Sequence, residues 1–359
     1  MKIILFTDSL GSGGAQRQLV GLAILLQEKG YEVKVCTYYD FDFYKKELDN
    51  NNVPNELIPG ADNVKKRIWL VRNYFKRENP DWVIAYQETS SLVACVVNIL
   101  LNRRFRLIVS ERNTTQRIGR SERVRFPLYR CADAIVPNSY AQGRFLKAHY
   151  PWMQKKLKII SNFVDLNRFT PNYKQRGEIA KLLIVGSIAN SKNTKGVIEA
   201  CRILKERNVS FQLAWYGWTD TPTSYMLESK KLIERYQLKD FVEFKNKQLD
   251  IAFAYQEAEY YCMPSFYEGT PNVLCEAIAS GLPVVSSQVC DNSIYTKENY
   301  NGYLFNPLSP VELADNIIKL ISLSDIQYNE YCHNSRALAE ERLSKERFVN
   351  QYMEVLRSN

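Results

Sequence analysis

The sequence predicts an α/β protein with two doubly wound domains, in which helices cover both faces of a parallel sheet. Short apolar runs alternate with segments of helical periodicity along the chain, which is the pattern of parallel sheets. These runs fall into two series on either side of a polar stretch at 170–177. The length of 359 residues is sufficient for two domains of this kind.

The first series predicts a sheet in the N-terminal half of the chain. Its apolar runs, each an expected β-strand, lie at 3–6, 33–37, 82–85, 107–110, 134–136 and 157–160. An amphipathic helix is expected after the first strand, with a buried face formed by Ala15, Leu19, Leu22 and Leu26. Gly30 is placed to end that helix.

The second series predicts a similar sheet in the C-terminal half. Its strands are expected at 182–185, 212–216, 242–244, 260–263 and 283–286. The polar stretch at 170–177, which contains Pro171, Lys174 and Arg176, is the expected linker, so the first domain should end near residue 168. Residues 310–359 have a charged, helical pattern.

Cysteine and histidine usage argues against disulfides and metal sites. The eight cysteines are scattered without a Cys-x-x-Cys pair, as expected of core residues in a reducing cytosol. The two histidines, His149 and His333, are far apart in the sequence, so metal ligation by histidine is not expected. No apolar run reaches the roughly 20 residues needed to span a bilayer, and the N-terminus resembles a first strand more than a signal peptide.

The net charge of +9 is concentrated in the first half of the chain, where residues 103–130 hold nine arginines and two glutamates. A second basic segment, 65–77, surrounds Trp69 and Phe75 with lysines and arginines. A basic helix with an aromatic face suits docking on an anionic membrane surface. The alternative is a core helix with a solvated basic face. Nucleic acid is not an expected partner, because no nucleic-acid-binding motif accompanies the charge.

Two acids, Glu268 and Glu276, stand eight positions apart across a loop and the start of an expected helix. A continuous helix would separate them by about two turns and roughly 12 Å. Between them, Thr270 and the backbone N–H groups of Asn272, Val273 and Leu274 could bind phosphate at the positive end of the helix. This arrangement suits a nucleotide-sugar, with Glu268 accepting from sugar hydroxyls and Glu276 from ribose. The alternative is an ordinary loop and helix with two solvated glutamates.

The string SFYEGTPNVLCEAIASGLPVV at 265–285 resembles the E-x7-E signature of retaining glycosyltransferases of the GT-B fold, family 4. The glycine loop after the first strand, ADAIVPNS at 132–139, ISNFVD at 160–165 and Val185-Gly186 extend the resemblance over nearly the whole chain. It implies two Rossmann-like domains facing across a cleft, with the acceptor on the first and the donor on the second, at 169–343. It also implies that a final helix, at about 344–359, crosses back to the first domain.

The resemblance assigns further site residues. Gly13 and Gly14, after the first strand, would contact donor phosphate, although the glycines could simply form a tight turn. Gly186 and Lys192 match the family's phosphate-binding segment, and Lys192 and Glu268 would be the catalytic pair. Ser187 stands where the family usually has arginine, and Lys195 is a nearby candidate to supply the missing charge.

Two polar segments in the first half lie outside these motifs. Glu111 and Arg112 follow a strand, so they are expected to line the cleft on the acceptor side. The alternative for this pair is a salt bridge within the fold. Asp40-Phe41-Asp42 matches the D-x-D pattern that binds metal in another glycosyltransferase fold, but its position makes the match a coincidence.

The resemblance therefore implies a retaining, metal-independent glycosyltransferase of hexosyltransferase type, without a cofactor. It would transfer a sugar from a nucleotide-sugar, expected to be a UDP-sugar, to a glycan or lipid-linked acceptor in bacterial surface polysaccharide assembly. The expected location is cytoplasmic and peripheral, at the inner face of the membrane. Two alternatives stay open: a nucleotide-sugar epimerase of the same fold, and an inactive glycan- or lipid-binding homologue, which Ser187 favours.

Overall fold

The computed structural model describes residues 1–61, 63–248 and 250–358, and the chain divides into two compact units. Unit 1 comprises Met1–Phe163 and the C-terminal segment that begins at Lys345. Unit 2 comprises Val164–Ser344. Each unit contains a six-stranded parallel sheet, which confirms the predicted α/β class with two Rossmann-like domains.

The sheet of unit 1 has the strand order β3-β2-β1-β4-β5-β6. Its strands are β1 (Lys2–Phe6), β2 (Glu32–Thr37), β3 (Asn55–Leu57), β4 (Trp82–Tyr86), β5 (Arg106–Glu111) and β6 (Ala134–Pro137). The prediction missed β3 because its sequence, Asn-Glu-Leu, is largely polar. The strand predicted at 157–160 was wrong. That segment contacts β6 through a bridge between Leu157 and Ile135 and a hydrogen bond from the Ile160 N–H to the Pro137 carbonyl at 3.1 Å, which do not make a continuous ladder.

The sheet of unit 2 has the order β12-β11-β10-β7-β8-β9. Its strands are β7 (Ala180–Val185), β8 (Phe211–Trp218), β9 (Val242–Asn246), β10 (Tyr260–Met263), β11 (Val284–Ser287) and β12 (Gly302–Phe305). The prediction missed β12, whose Asn301-Gly302 start is typical of a turn. Gly302 packs so closely on β11 that an added Cβ would lie 1.9 Å from the Val284 carbonyl oxygen.

Helices follow most strands. Those of unit 1 are α1 (Gly14–Glu28), α2 (Lys45–Asn50), α3 (Val64–Glu78), α4 (Glu88–Leu100), α5 (Arg120–Leu128) and α6 (Tyr140–His149). Those of unit 2 are α7 (Thr194–Glu206), α8 (Ser224–Arg235), α9 (Ala252–Glu257), α10 (Asn272–Ala279), α11 (Asn292–Tyr295), α12 (Pro310–Ile321) and α13 (Asp325–Leu343). The final helix, α14 (Lys345–Arg357), belongs to unit 1. No helix of the described residues is long and apolar enough to cross a membrane.

The helix α1 shows how local sequence produces this arrangement. Leu19, Leu22 and Leu26 recur at helical spacing and are fully buried in the core of unit 1. The helix ends at Glu28, and Gly30 adopts φ +86°, a left-handed conformation that glycine accepts without strain.

The helix α14 completes the core of unit 1. Phe348, Val349 and Tyr352 are buried in the same cluster as Leu19 of α1. The Tyr352 hydroxyl lies 2.9 Å from the hydroxyl of Tyr86 on β4, inside the core. The last helix of the chain is therefore an integral part of the N-terminal fold.

The C-terminal end of α3 is held by a small ionic network. Glu78 accepts hydrogen bonds from Lys2 at 3.0 Å, Arg77 at 3.0 Å and Lys34 at 3.2 Å. Lys34 also donates to Glu56 on β3 at 2.6 Å. Burial acts to raise the pKa of Glu78, but the hydrogen bonds from its three cations outweigh it and lower that pKa to about 2.

Candidate functional site

The loop between β10 and α10 carries the Glu268 part of the motif. The Ser287 hydroxyl on β11 donates to the Ser265 carbonyl at 2.6 Å, which fixes the start of this loop. Pro271 is the N-cap residue of α10, directly before its first turn. Glu268 and the buried Thr270 therefore lie at the carboxyl end of β10, where open parallel sheets bind ligands.

Lys192 lies beside this loop. It ends a short 3-10 turn, Asn190–Lys192, that follows β7, the neighbour of β10 in the sheet. The Phe266 N–H donates to the Ser191 carbonyl at 3.0 Å and so joins the two loops. The Lys192 ammonium donates to the Glu268 carboxylate, and the two side chains are 23% and 14% exposed. The structure thus brings together the two residues that were predicted to be catalytic.

Glu276 lies on α10 with its side chain almost fully buried. The Tyr255 hydroxyl, from α9, is 3.0 Å from the Glu276 carboxylate and 3.1 Å from the Val273 carbonyl. A buried carboxylate that accepts a hydrogen bond has a fixed orientation. Tyr255 was not predicted, because no motif in the sequence distinguishes it from other core tyrosines.

The first turn of α10 refines the prediction for the phosphate-binding N–H groups. The N–H of Leu274 donates to the Pro271 carbonyl at 3.1 Å, and that of Cys275 donates to the same carbonyl at 3.0 Å. Leu274 therefore does not offer its N–H to a ligand in this structure, contrary to the prediction. Asn272 and Val273 stand at the end of the helix where N–H groups point outward along the axis.

The turn after β7 is built around Gly186, which has φ +144°. The Gly186 carbonyl accepts from the Trp215 indole at 2.9 Å. A Cβ on Gly217 would lie 1.9 Å from that carbonyl oxygen, so this position must be glycine for the turn to keep its place. Trp215 and Gly217 lie on β8, and no sequence motif marks them as site residues.

Ser187 follows Gly186 in this turn and is exposed. Lys195, the proposed replacement for the missing arginine, lies 3.2 Å from Glu228 and 5.1 Å from the ring of Tyr225. In this structure the Lys195 ammonium is therefore engaged by α8.

The glycine loop of unit 1 lies between β1 and α1. Gly13 is the N-cap residue of α1, and Gly14 is the first residue of the helix. An added Cβ on Gly13 would lie 2.2 Å from the amide oxygen of Gln16, which folds back over the turn. The Gln16 amide donates to the Asp8 carboxylate at 3.2 Å. The loop is thus a tight turn, and donor contact by Gly13 and Gly14 stays a prediction.

Glu111 and Arg112 do not line an open surface, which corrects the prediction for the acceptor side. Glu111 is fully buried, 3.3 Å from Arg125, and accepts a hydrogen bond from Tyr129. Burial raises the pKa of Glu111, against the opposing effect of Arg125. The Arg112 guanidinium stacks 3.9 Å from the ring of Tyr86. Glu111 does form a salt bridge within the fold, as the alternative interpretation expected. Its partner is Arg125, however, and not Arg112.

The described residues contain no group of three or more histidine, cysteine, aspartate or glutamate side chains arranged to hold a metal ion. This includes Asp40 and Asp42 of the D-x-D pattern. The prediction of a metal-independent site is not tested by this observation.

Two known protein families match the two halves of the chain. The family model described as "Glycosyltransferase Family 4" matches residues 12–168, and "Glycosyl transferases group 1" matches residues 168–339. The chain belongs to the glycosyltransferases that these two models describe. The predicted membership of glycosyltransferase family 4 is therefore confirmed, and both halves of this glycosyltransferase match it.

Several curated relatives match most of the chain. An uncharacterized glycosyltransferase of Haemophilus influenzae is 24% identical over 353 residues, 95% of this chain and 96% of the relative. A Campylobacter jejuni enzyme is 25% identical over 333 residues, 88% of this chain and 87% of the relative. Its name describes an α-1,4-N-acetyl-D-galactosaminyltransferase that acts on an undecaprenol-linked glycan.

Solved structures establish the same fold for the glycosyltransferase. Anabaena Alr3699/HepE in complex with UDP has a TM-score of 0.87 at 20% identity, with both chains fully covered. The lipopolysaccharide outer core galactosyltransferase WaaB has a TM-score of 0.77 at 16% identity, covering 100% of this chain and 99% of WaaB. The predicted GT-B fold class is confirmed.

Proposed function

We propose that this glycosyltransferase transfers a sugar from a UDP-sugar to a glycan or lipid-linked acceptor in bacterial surface polysaccharide assembly, with retention of the anomeric configuration. The observation that carries the proposal is the Lys192–Glu268 ion pair at the carboxyl ends of β7 and β10, with Glu276 held on α10 by Tyr255. A cation, a helix start and two oriented acids match the diphosphate, sugar and ribose of one donor.

Each residue then has a distinct role. Lys192 exchanges Glu268 for the donor diphosphate and stabilises charge on the leaving group, aided by the start of α10. Glu268, released from the lysine, accepts from hydroxyls of the transferred sugar. Glu276 accepts from ribose hydroxyls. The acceptor attacks from the face of the leaving group, so the protein contributes positioning and electrostatic support.

The printed names of relatives support the donor and acceptor classes. HepE structures contain UDP and UDP-glucose, and the Campylobacter jejuni relative is named for an undecaprenol-linked substrate. These properties belong to those proteins. They make UDP-sugars and lipid-linked glycans the first compounds to test.

The decisive experiment measures release of UDP from a panel of UDP-sugars, with and without EDTA. Wild-type protein should hydrolyse one donor slowly without acceptor and be unaffected by EDTA. Lys192→Ala should lose this activity. Lys174→Ala is the matched control, because Lys174 forms an ion pair with Glu257 elsewhere in unit 2. Loss of activity in EDTA with recovery in manganese would overturn the metal-independent mechanism, and equal activity of Lys192→Ala would overturn the site.

An inactive glycan- or lipid-binding homologue is the second candidate, favoured by the uncharged, exposed Ser187. A neutral donor to phosphate is worth roughly half of a charged one. Binding of UDP without release from any UDP-sugar identifies this alternative. In that case, Ser187→Arg should restore hydrolysis of a UDP-sugar. Hydrolysis by the wild-type protein would exclude the inactive homologue.

We further propose that α3 docks on an anionic membrane surface. Its Val71, Tyr74 and Phe75 are buried in unit 1, but Trp69 is 60% exposed, and Lys65, like several other basic residues of α3, also faces solvent. An exposed tryptophan can enter the headgroup region, while each nearby cation contributes about 1 kcal/mol.

Liposome flotation tests this docking. Binding should increase with anionic lipid, decrease with salt, and weaken in Trp69→Ala and in Lys65→Glu. Lys239→Glu, an exposed lysine of unit 2, is the control and should float as wild type does. The absence of flotation at low salt would refute the docking and leave the transferase proposal unaffected.

A further inference from the structure

We propose that the loop at 38–44 and the cavity beside it form a carbohydrate-binding subsite on unit 1, which takes a neutral sugar unit. The identification of this sugar as part of the acceptor rests on the proposed function, but sugar binding by the loop does not. The subsite includes the Asp40-Phe41-Asp42 segment, which has no role in the donor site described above.

The cavity has a volume of about 550 Å³ and lies between β2, β3 and α2. This volume is within the usual range for small-molecule sites. Its lining combines the aromatic rings of Tyr39 and Phe41 with one ammonium and several carboxylates, those of Lys45, Asp40, Asp42, Asp49 and Glu56. Aromatic faces next to hydrogen-bond acceptors match a sugar ring, which presents C–H groups on its faces and hydroxyls around its edge.

The aromatic side chains of this loop are unusually open to solvent. Phe41 is 66% exposed, and Tyr39 and Phe43 are also exposed. These three rings alternate with the two aspartates along five consecutive residues. Grouped exposed aromatics are typical of binding surfaces, because a fold gains nothing from leaving them in water.

The loop is held in place by the neighbouring glycine loop. The Asp8 carbonyl accepts from the N–H groups of Tyr38 at 3.1 Å and Tyr39 at 2.8 Å. The N–H of Leu10 donates to the Phe41 carbonyl at 2.8 Å. These backbone hydrogen bonds give the aromatic loop a defined conformation before any ligand arrives, which reduces the entropy cost of binding.

Tyr39 is also fixed through its side chain. The buried guanidinium of Arg67 on α3 donates to the Tyr39 hydroxyl at 2.7 Å. The same guanidinium lies 4.9 Å from the centre of the Tyr39 ring and 4.2 Å from that of Tyr38. Burying the charge of an arginine costs free energy, and an ordinary surface loop does not require it. The buried Arg67 therefore indicates that the position of the Tyr39 ring matters for binding.

The charges of the lining select the class of ligand. Within residues 1–61, 63–248 and 250–358, no side chain pairs with the carboxylate of Asp40 or Asp42. Unpaired carboxylates repel phosphate and anionic lipid, and they accept hydrogen bonds from hydroxyls. Lys45 also lines the cavity, but the three aspartates outnumber it, so the lining is net acidic. In a chain with a net charge of +9, this local acidic cavity favours a neutral, hydroxylated ligand over an anionic one.

Binding of fluorescently labelled full-length protein to an array of bacterial oligosaccharides tests the subsite. Wild-type protein should bind neutral glycans, and Phe41→Ala and Asp42→Asn should each weaken that binding by about tenfold or more. Phe253→Ala is the matched control, because Phe253 is an exposed aromatic residue of unit 2. UDP affinity and the melting temperature of each variant confirm that the donor unit and the fold are intact.

Three results would overturn the subsite: no binding of neutral glycans by wild type, binding of anionic glycans alone, or wild-type glycan affinity in both loop variants. Failure of the proposed function has a different signature. If no UDP-sugar is hydrolysed but neutral glycans bind through Phe41, the subsite stands and the transferase proposal falls. If UDP-sugars are hydrolysed and no glycan binds, the reverse holds.

Discussion

Replacing Glu268 by glutamine should tighten the binding of free UDP while it lowers turnover. In the ligand-free protein Lys192 donates to Glu268, and the two side chains are only 23% and 14% exposed. The diphosphate must take the lysine from this carboxylate, so the measured affinity is reduced by the strength of the ion pair. Glutamine keeps the size of the side chain but removes the competing charge.

The size of the effect follows from the burial of the pair. Exposed ion pairs contribute about 0–1 kcal/mol, and fully buried pairs cost about 3–5 kcal/mol to break. The partial exposure of Lys192 and Glu268 places this pair near the lower range, at about 1 kcal/mol. One kcal/mol corresponds to roughly fivefold tighter UDP binding. Turnover should nevertheless fall, because the sugar loses an acidic hydrogen-bond acceptor.

Titration calorimetry with UDP and an assay of UDP release from the preferred UDP-sugar measure the two effects separately. The matched control is Glu257→Gln, which breaks the exposed 2.7 Å ion pair with Lys174 in the same unit and should change neither quantity. If Glu268→Gln binds UDP more weakly than wild type, the lysine does not exchange partners and the reasoning is refuted.

Three other substitutions probe the remaining features. Glu276→Gln should weaken UDP and UDP-sugar equally, by about ten- to a hundredfold, since hydrogen bonds to a charged group contribute about 1.5–3 kcal/mol; unchanged affinities in calorimetry would reject the ribose role. Gly217→Ala should displace the Gly186 turn, because its Cβ would lie 1.9 Å from the carbonyl oxygen there, and should lower both UDP affinity and melting temperature; wild-type values would show that the turn tolerates the change. Glu78 has a pKa lowered to about 2, so its stabilisation is present above its ordinary pKa of 4.5 and is lost as the pH falls through about 2. Urea unfolding should therefore show Glu78→Gln less stable than wild type at pH 7 and similar to it near pH 2, and a difference independent of pH would contradict this.

The sequence was sufficient for most of the sheet structure, because buried parallel strands are continuous apolar runs. The sequence-based prediction of strands failed where strand pairing depends on which segments lie side by side in the fold. Asn55–Leu57 forms an edge strand despite its polar sequence, and the apolar run at 157–160 lacks a full partner ladder. Short apolar segments carry no information about which neighbour is available to pair with them.

The candidate site was only partly predictable for a similar reason. Short loops after adjacent parallel strands bring Lys192 and Glu268 together, and their motifs mark both residues. Tyr255 comes from a separate helix, and its contact with Glu276 depends on how that helix packs. Glu111 was misread because a strand end is a usual ligand position, whereas here Arg125 of α5 covers the carboxylate.

The place of α14 in unit 1 has a consequence for biosynthesis. Unit 1 requires its last helix to cover the core around Tyr86, yet the whole of Val164–Ser344 is translated before that helix. At about 5–20 residues per second, the ribosome needs roughly 10–40 seconds to make unit 2. During that interval the nascent N-terminal unit exposes the apolar surface that Phe348 and Val349 will later bury. Unit 2 is complete in sequence first, so unit 1 cannot complete its core until all of unit 2 has been synthesised.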